Sequence, residues 1–172
     1  MILTGEAIRE AVDQGDIVID PFDPDRLGPN SYDFALGDRC LTYAGDVLDA
    51  RRPNRTVECR VDSEGIELSP DRVYLWNTAE TMGSTRYVPI IRGRSSTGRL
   101  GIFIDITADL IDIGSINAWT LQLHAVCPVR AYPGMVIGQV TFWAVEGEVR
   151  LYDGKYHELE SPVPSLAYRE RQ

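Results

Sequence analysis

Gly93-Arg94-Ser95-Ser96-Thr97-Gly98-Arg99-Leu100-Gly101 lies between two apolar runs, residues 87–92 before it and 102–106 after it. Both runs are short and carry β-branched residues, so the stretch reads as a polar connection between two strands. Its glycines let backbone N–H groups approach an anion. The Ser95 and Ser96 hydroxyls and the Arg94 and Arg99 guanidinium groups are strong donors to phosphate oxygens. A phosphate site and an ordinary polar turn both fit the stretch taken alone.

The pattern continues outward on both sides. Further short β segments are expected at 17–19, 31–36, 40–43, 65–68, 73–77, 119–125, 129–131 and 136–144, with Gly, Pro and Asp between them. One amphipathic helix is expected over residues 4–14. Thr4 can cap it, Ile8 and Val12 lie one turn apart, and Gly15 ends it. Many closely spaced strands with a single helix predict an all-β barrel or sandwich, built as one domain over residues 1–172. The tail, 152–172, holds Pro162 and Pro164 and ends in polar residues. It is expected to be mobile alone and ordered by a ligand or a neighbouring subunit.

Charge and composition narrow the function. Net charge is −9, which disfavours binding to nucleic acid polymers, where Lys and Arg must neutralise phosphates. Yet Arg92, Arg94 and Arg99 cluster, so a small anionic ligand remains open beside a merely solvated charge cluster. No apolar run approaches the roughly 20 residues of a membrane helix. The start lacks the basic and apolar regions of a secretory signal, which predicts a cytoplasmic protein. Cys40, Cys59 and Cys127 are scattered, which fits free thiols in a reducing compartment. His124 and His157 stand apart, and neither a CxxC nor an H-x-E motif exists, so no zinc is expected.

Two later stretches carry further chemistry. In Ile104-Asp105-Ile106-Thr107-Ala108-Asp109-Leu110-Ile111-Asp112, carboxylates recur among apolar residues. Near a phosphate site such groups bind sugar hydroxyls, hold magnesium or activate water. For Asp105 a solvent-facing strand position is the preferred reading. In Pro133-Gly134-Met135-Val136-Ile137-Gly138-Gln139-Val140-Thr141-Phe142, a turn leads into an apolar strand interrupted by Gln139.

In this order, G-R-S-S-x-x-R-L-G, T-A-x-x-I-D and P-G-M-x-I-G-Q-x-x-F closely resemble the dCTP deaminases, relatives of the trimeric dUTPases. Gly28-Pro29-Asn30-Ser31-Tyr32-Asp33-Phe34-Ala35-Leu36-Gly37 resembles their P-x-S-x-D-x-x-L-G segment, and Tyr152-Asp153-Gly154-Lys155-Tyr156 resembles their closing G-K-Y segment. The resemblance implies a distorted jelly-roll-like β-barrel of the dUTPase type, assembled as a homotrimer with sites between neighbours. It implies that Arg94, Ser95 and Ser96 contact a triphosphate accompanied by magnesium, and that Tyr152 and Lys155 close over it. Ile106 and Ala108 would line the base pocket, and Asp112 would lie near the deoxyribose. In the dUTPase branch the carboxylate equivalent to Asp112 positions the attacking water. Arg99 would support the acid/base group, and Gln139 matches a strand glutamine.

The implied reaction is zinc-independent deamination of dCTP to dUTP, in which a glutamate takes a proton from the water that attacks C4. Here that glutamate position, in Trp119-Thr120-Leu121-Gln122-Leu123, is Gln122. A neutral amide is no general base near pH 7, and a positioned acid/base is worth roughly 10²–10⁴ in rate, or about 3–5.5 kcal/mol of barrier. Three readings stay open. Another carboxylate serves as base, Asp109 first and Asp112 next; or Asp112 directs water to the α-phosphate in a dUTPase-like pyrophosphatase; or the chain binds nucleotide without turnover. Ile113, Ser115 and Asn117 also depart from the family's proline, aromatic and glycine, and Leu159 stands where a tail glutamine often contacts phosphate.

Overall fold

A computed structural model describes residues 1–157 and 161–170. Strand periodicity dominates, as the alternating sequence demands. In chain order the elements are α1 (Gly5–Asp13), β1 (Ile17–Asp20), β2 (Tyr32–Tyr43), β3 (Thr56–Cys59), β4 (Ile66–Leu68), β5 (Tyr74–Ser84) and β6 (Tyr87–Gly93). They continue with α2 (Ser95–Arg99), β7 (Ile102–Phe103), β8 (Asn117–Ala125), β9 (Val129–Ala131) and β10 (Val136–Ala144). The main sheet runs β6-β10-β2-β5-β8-β7; β1 pairs with β5, β3 with β2, and β4 and β9 form a separate ribbon.

The connection after α2 nearly closes this sheet into a barrel. At one end Gln122 N–H donates to Ile104 O (3.1 Å) at the β8 edge. At the other, Ile91 N–H donates to Asp109 O (2.9 Å) and Ile111 N–H to Pro89 O (3.0 Å) at the β6 edge. Residues 104–111 therefore span the two edges of the sheet. This is why β7 stops at Phe103 instead of continuing to 106. Asp105, expected to face solvent, is half-buried in that crossing.

The barrel is filled by the inward faces of the strands. Tyr32, Phe34, Leu36, Trp76, Leu121, Leu123 and Phe142 are fully buried. On β8 burial alternates strictly, so Trp119, Leu121 and Leu123 point in, while Thr120 and Gln122 lie on the outer face. Gly138 is required where β10 crosses β2, because a Cβ there would sit 2.4 Å from the Phe34 ring. α1 lays Ile8 and Ala11 against the core, and Thr4 Oγ1 accepts from Ala7 N–H (3.3 Å) as its cap.

Two elements differ from the sequence expectation in kind. Residues 95–99 form a helical turn, α2, where a polar loop was predicted. Thr97 explains it: its buried hydroxyl donates to Ile137 O (2.8 Å) and pins the turn on β10. β3 was not anticipated, since Thr56-Val57-Glu58-Cys59 is half polar and pairs only with β2 at the margin of the sheet.

The tail is described in part. Arg39 donates to Ser161 Oγ (2.6 Å) and Ser165 N–H to the Tyr43 hydroxyl (3.0 Å), which lays 161–166 along the barrel wall. The expectation of a mobile tail falls partly on 158–160 and 171–172, and that for Leu159 wholly so; these lie outside the described residues.

Candidate active site

The outer face of β8 forms the floor of a cavity of about 380 Å³. Thr120 and Gln122 contribute from β8, Leu75 from β5 and Ile91 from β6. One wall is the crossing segment, with Ala108 and Asp112; the other is the tail, with Tyr152, Tyr156 and Val163. This size suits a small ligand, and the mix of apolar walls with a few polar groups is the usual make-up of such sites.

Local structure fixes each wall. Gly114 adopts φ +93°, and a Cβ there would approach the Tyr152 nitrogen to 2.8 Å; glycine lets the tail pack directly on the turn that follows Asp112. Tyr152 N–H then donates to Ile113 O (2.7 Å). Its hydroxyl accepts from Tyr156 N–H (3.1 Å), and the Tyr156 hydroxyl accepts from Leu166 N–H (2.9 Å). Val163 N–H donates to Thr120 Oγ1 (3.3 Å), which seals the tail to the floor.

Within the cavity, Gln122 Nε2 donates to Thr120 O (2.9 Å), so its amide is oriented by the strand that carries it. Asp112 is the acidic residue among the cavity-lining residues. A neutral amide and an exposed carboxylate thus line one cavity. That pairing can orient a water and accept its proton, provided that the carboxylate acts as the acceptor.

A second group of predicted residues lies elsewhere, on the surface carrying α2. Ser95, Ser96 and Arg99 are exposed. Arg94 Nε contacts Asp33 Oδ2 at 3.1 Å. Gln139 accepts from Ser31 Oγ (3.1 Å) and stands in register with Asp33 on β2 and Arg92 on β6, forming a polar row across three strands. Arg92 pairs with Asp109 at 2.6 Å. Burial, then repulsion from Asp109, raise the Asp105 pKa above the ordinary aspartate value, against the pull of Arg92.

The structure therefore brings Ala108, Asp112, Gln122 and Tyr152 together. It does not bring Arg94, Ser95, Ser96, Arg99 or Gln139 into the same cavity. Asp109, first in sequence order as a substitute base, lies outside the cavity and is engaged by Arg92. Ile106 is 52% exposed and also lies outside it. Lys155 is ion-paired with Glu170, with its ammonium over the Tyr156 ring at 5.3 Å. Sequence reasoning missed Tyr43, Thr120 and Tyr156. Thr120 and Tyr156 lie within family-like segments but carried no role of their own, and Tyr43 and Thr120 meet tail partners that are distant in sequence. Among the described residues, no three His, Cys, Asp or Glu side chains group as metal ligands.

Residues 2–145 match the family model described as dCTP deaminase-like. The chain belongs to the dCTP deaminase-like family. A relative from Clostridium botulinum (strain Alaska E43), "dCTP deaminase, dUMP-forming", is 42% identical over 171 residues, covering 99% of this chain and 98% of that protein. The "dCTP deaminase" of Rhodopirellula baltica is 46% identical over 99% of this chain and 86% of its own length. Among solved structures, the 2'-deoxycytidine 5'-triphosphate deaminase of Agrobacterium tumefaciens superposes with a TM-score of 0.62 at 23% identity, over 82% of this chain. This chain spans about half of that one, 47%. The likeness is one of fold. No helix among the described residues is long and apolar enough to cross a membrane.

Proposed function

We propose that this member of the dCTP deaminase-like family binds a cytosine deoxynucleoside triphosphate and hydrolyses the exocyclic C4–N bond, giving dUTP and ammonia. The observation that carries the reading is the convergence of Ala108, Asp112 and Gln122 on one cavity. Asp112 is the proton acceptor in this scheme and Gln122 orients the water. As the water oxygen bonds to C4, the C4=N3 π pair moves to N3 and Asp112 takes one water proton; that proton passes to the amine, which leaves as ammonia as the C–N bond breaks, and the remaining hydroxyl proton moves to N3 as the C4 carbonyl forms. No step uses zinc.

The triphosphate is bound by α2 of a neighbouring copy. Two features favour a site shared between copies. The phosphate donors Arg94, Ser95 and Ser96 lie outside the cavity of their own chain. Beside them Leu100, Phe103 and Val126 are 47%, 54% and 61% exposed, an apolar surface of the kind that a partner covers. A ring of three copies satisfies both features. Magnesium comes with the triphosphate. The chain fits that arrangement, since Mg²⁺ held by phosphate oxygens and water needs only one or two carboxylates from protein. The free cysteines agree with a cytoplasmic setting.

Gln122 favours a second reading, nucleotide binding without turnover, because the amide keeps the shape and hydrogen bonding of a glutamate but not its basicity. The dUMP-forming activity in the relatives' names adds a third outcome, in which Asp112 also directs water to the α-phosphate. Incubation with dCTP, CTP and dUTP separates them. Ammonia release from dCTP is the expected result; pyrophosphate release from dUTP indicates the third outcome, and a thermal shift without either product indicates binding alone.

A further inference from the structure

We propose that Asp33 is a positioning residue that presents the guanidinium fork of Arg94 to the phosphates of the nucleotide. The proposal rests on the reading that α2 receives the triphosphate. Asp33 stands on β2, 61 positions before Arg94, and belongs to neither cavity wall.

The contact geometry makes the case. Asp33 Oδ2 meets Arg94 through Nε, at 3.1 Å. With the carboxylate paired closest to Nε, the two terminal nitrogens are the donors left to suit bidentate contact with phosphate. Arg94 is only partly exposed, at 39%, and Asp33 at 23%, so the pair is sheltered enough for the orientation to persist. A carboxylate that gripped both terminal nitrogens would instead compete with the ligand.

Asp33 is itself fixed from behind. Its pKa is raised by burial and pulled down by Arg94 and Arg26. Arg26 is ion-paired to Glu80, whose side chain is 1% exposed and whose second oxygen accepts from Ala35 N–H (3.1 Å), two residues beyond Asp33. Glu80 thereby holds the β2 backbone beside Asp33 as well as the arginine that shares its field. Alternation of charge along Glu80, Arg26, Asp33 and Arg94 opposes the burial that raises the pKa of both carboxyl groups.

The test uses the full chain, with dCTP and dCMP as calorimetric probes. The wild type is expected to prefer dCTP, and Asp33→Asn to cut that preference by about tenfold with dCMP affinity unchanged, while Asp33→Glu recovers part of it. On an Arg94→Ala background Asp33→Asn is expected to add less than about twofold, because the two act through one interaction. An unchanged preference in Asp33→Asn, equal losses for both nucleotides, or tighter dCTP binding on removal of the negative charge each overturn the positioning role alone. A wild type that does not distinguish dCTP from dCMP overturns both this role and the assignment of phosphates to α2.

Discussion

The cavity on β8 and the surface of α2 both carry polar groups, yet they differ in what completes them. The cavity is finished by its own chain: the crossing segment is bonded to β6 at Pro89 and Ile91, the tail to Thr120 Oγ1 on β8, and Gln122 is turned onto Thr120. The α2 surface is open. Its donors are oriented from below by Asp33 and Thr97, but nothing within the described residues covers Ser95, Ser96 or Arg99. One region has the low polarity that chemistry on a base requires, and the other has the exposed cations that an anionic chain requires. The difference fits the proposed arrangement, in which the two halves of the motif set are half-sites that a second copy would join.

Substitutions that strike one half should leave the other's signature intact. The largest effect is expected from Asp112→Asn, which removes the cavity's carboxylate: ammonia release should fall by at least about 100-fold while dCTP affinity stays within about threefold. A retained rate would mean that the base lies elsewhere. Gln122→Glu supplies a second carboxylate and should raise ammonia release by about tenfold or more; a fall, with fold and binding intact, would show that Gln122 serves better as an amide than as a base.

On the other half, Arg94→Ala should weaken dCTP binding by about tenfold or more, the scale of one hydrogen bond to a charged group, with little change for the unphosphorylated nucleoside. Equal losses for both ligands by calorimetry would tie Arg94 to the cavity instead. The smallest effect is expected from Thr97→Val. It strands the Ile137 carbonyl and should cost about 1–2 kcal/mol in denaturant unfolding, with dCTP affinity falling more than nucleoside affinity. If nucleoside affinity falls equally, α2 and the cavity are mechanically one unit.

The two regions also differ in how far the sequence could reveal them. Alternation on β8 and β10 made the strands legible, and the fixed order of three motifs pointed to a dUTPase-type barrel, which the fold bears out. Strand β3 escaped because Thr56 and Glu58 hide its period, and α2 escaped because a five-residue helix is too short to show a 3.6-residue pattern. Among the residues lining the cavity, Ala108, Asp112 and Gln122 were named through motif position. Their neighbours Tyr43 and Thr120 were not, since they meet the tail across more than forty residues and no local pattern encodes such a contact. Asp109, from the same motif, lies outside this cavity, and its side chain pairs with Arg92 on β6, a contact that only the barrel's closure creates.

The most direct test of a shared site is complementation between copies. Asp112→Asn chains retain a sound α2, and Arg94→Ala chains retain a sound cavity. Co-expressed and assayed under subsaturating dCTP, the two should assemble mixed rings in which roughly a quarter of the sites combine both sound halves, restoring ammonia release well above either variant alone. A mixed preparation no more active than the sum of its separate parts, with mixed assemblies demonstrated by mass, would mean that each chain builds its site alone.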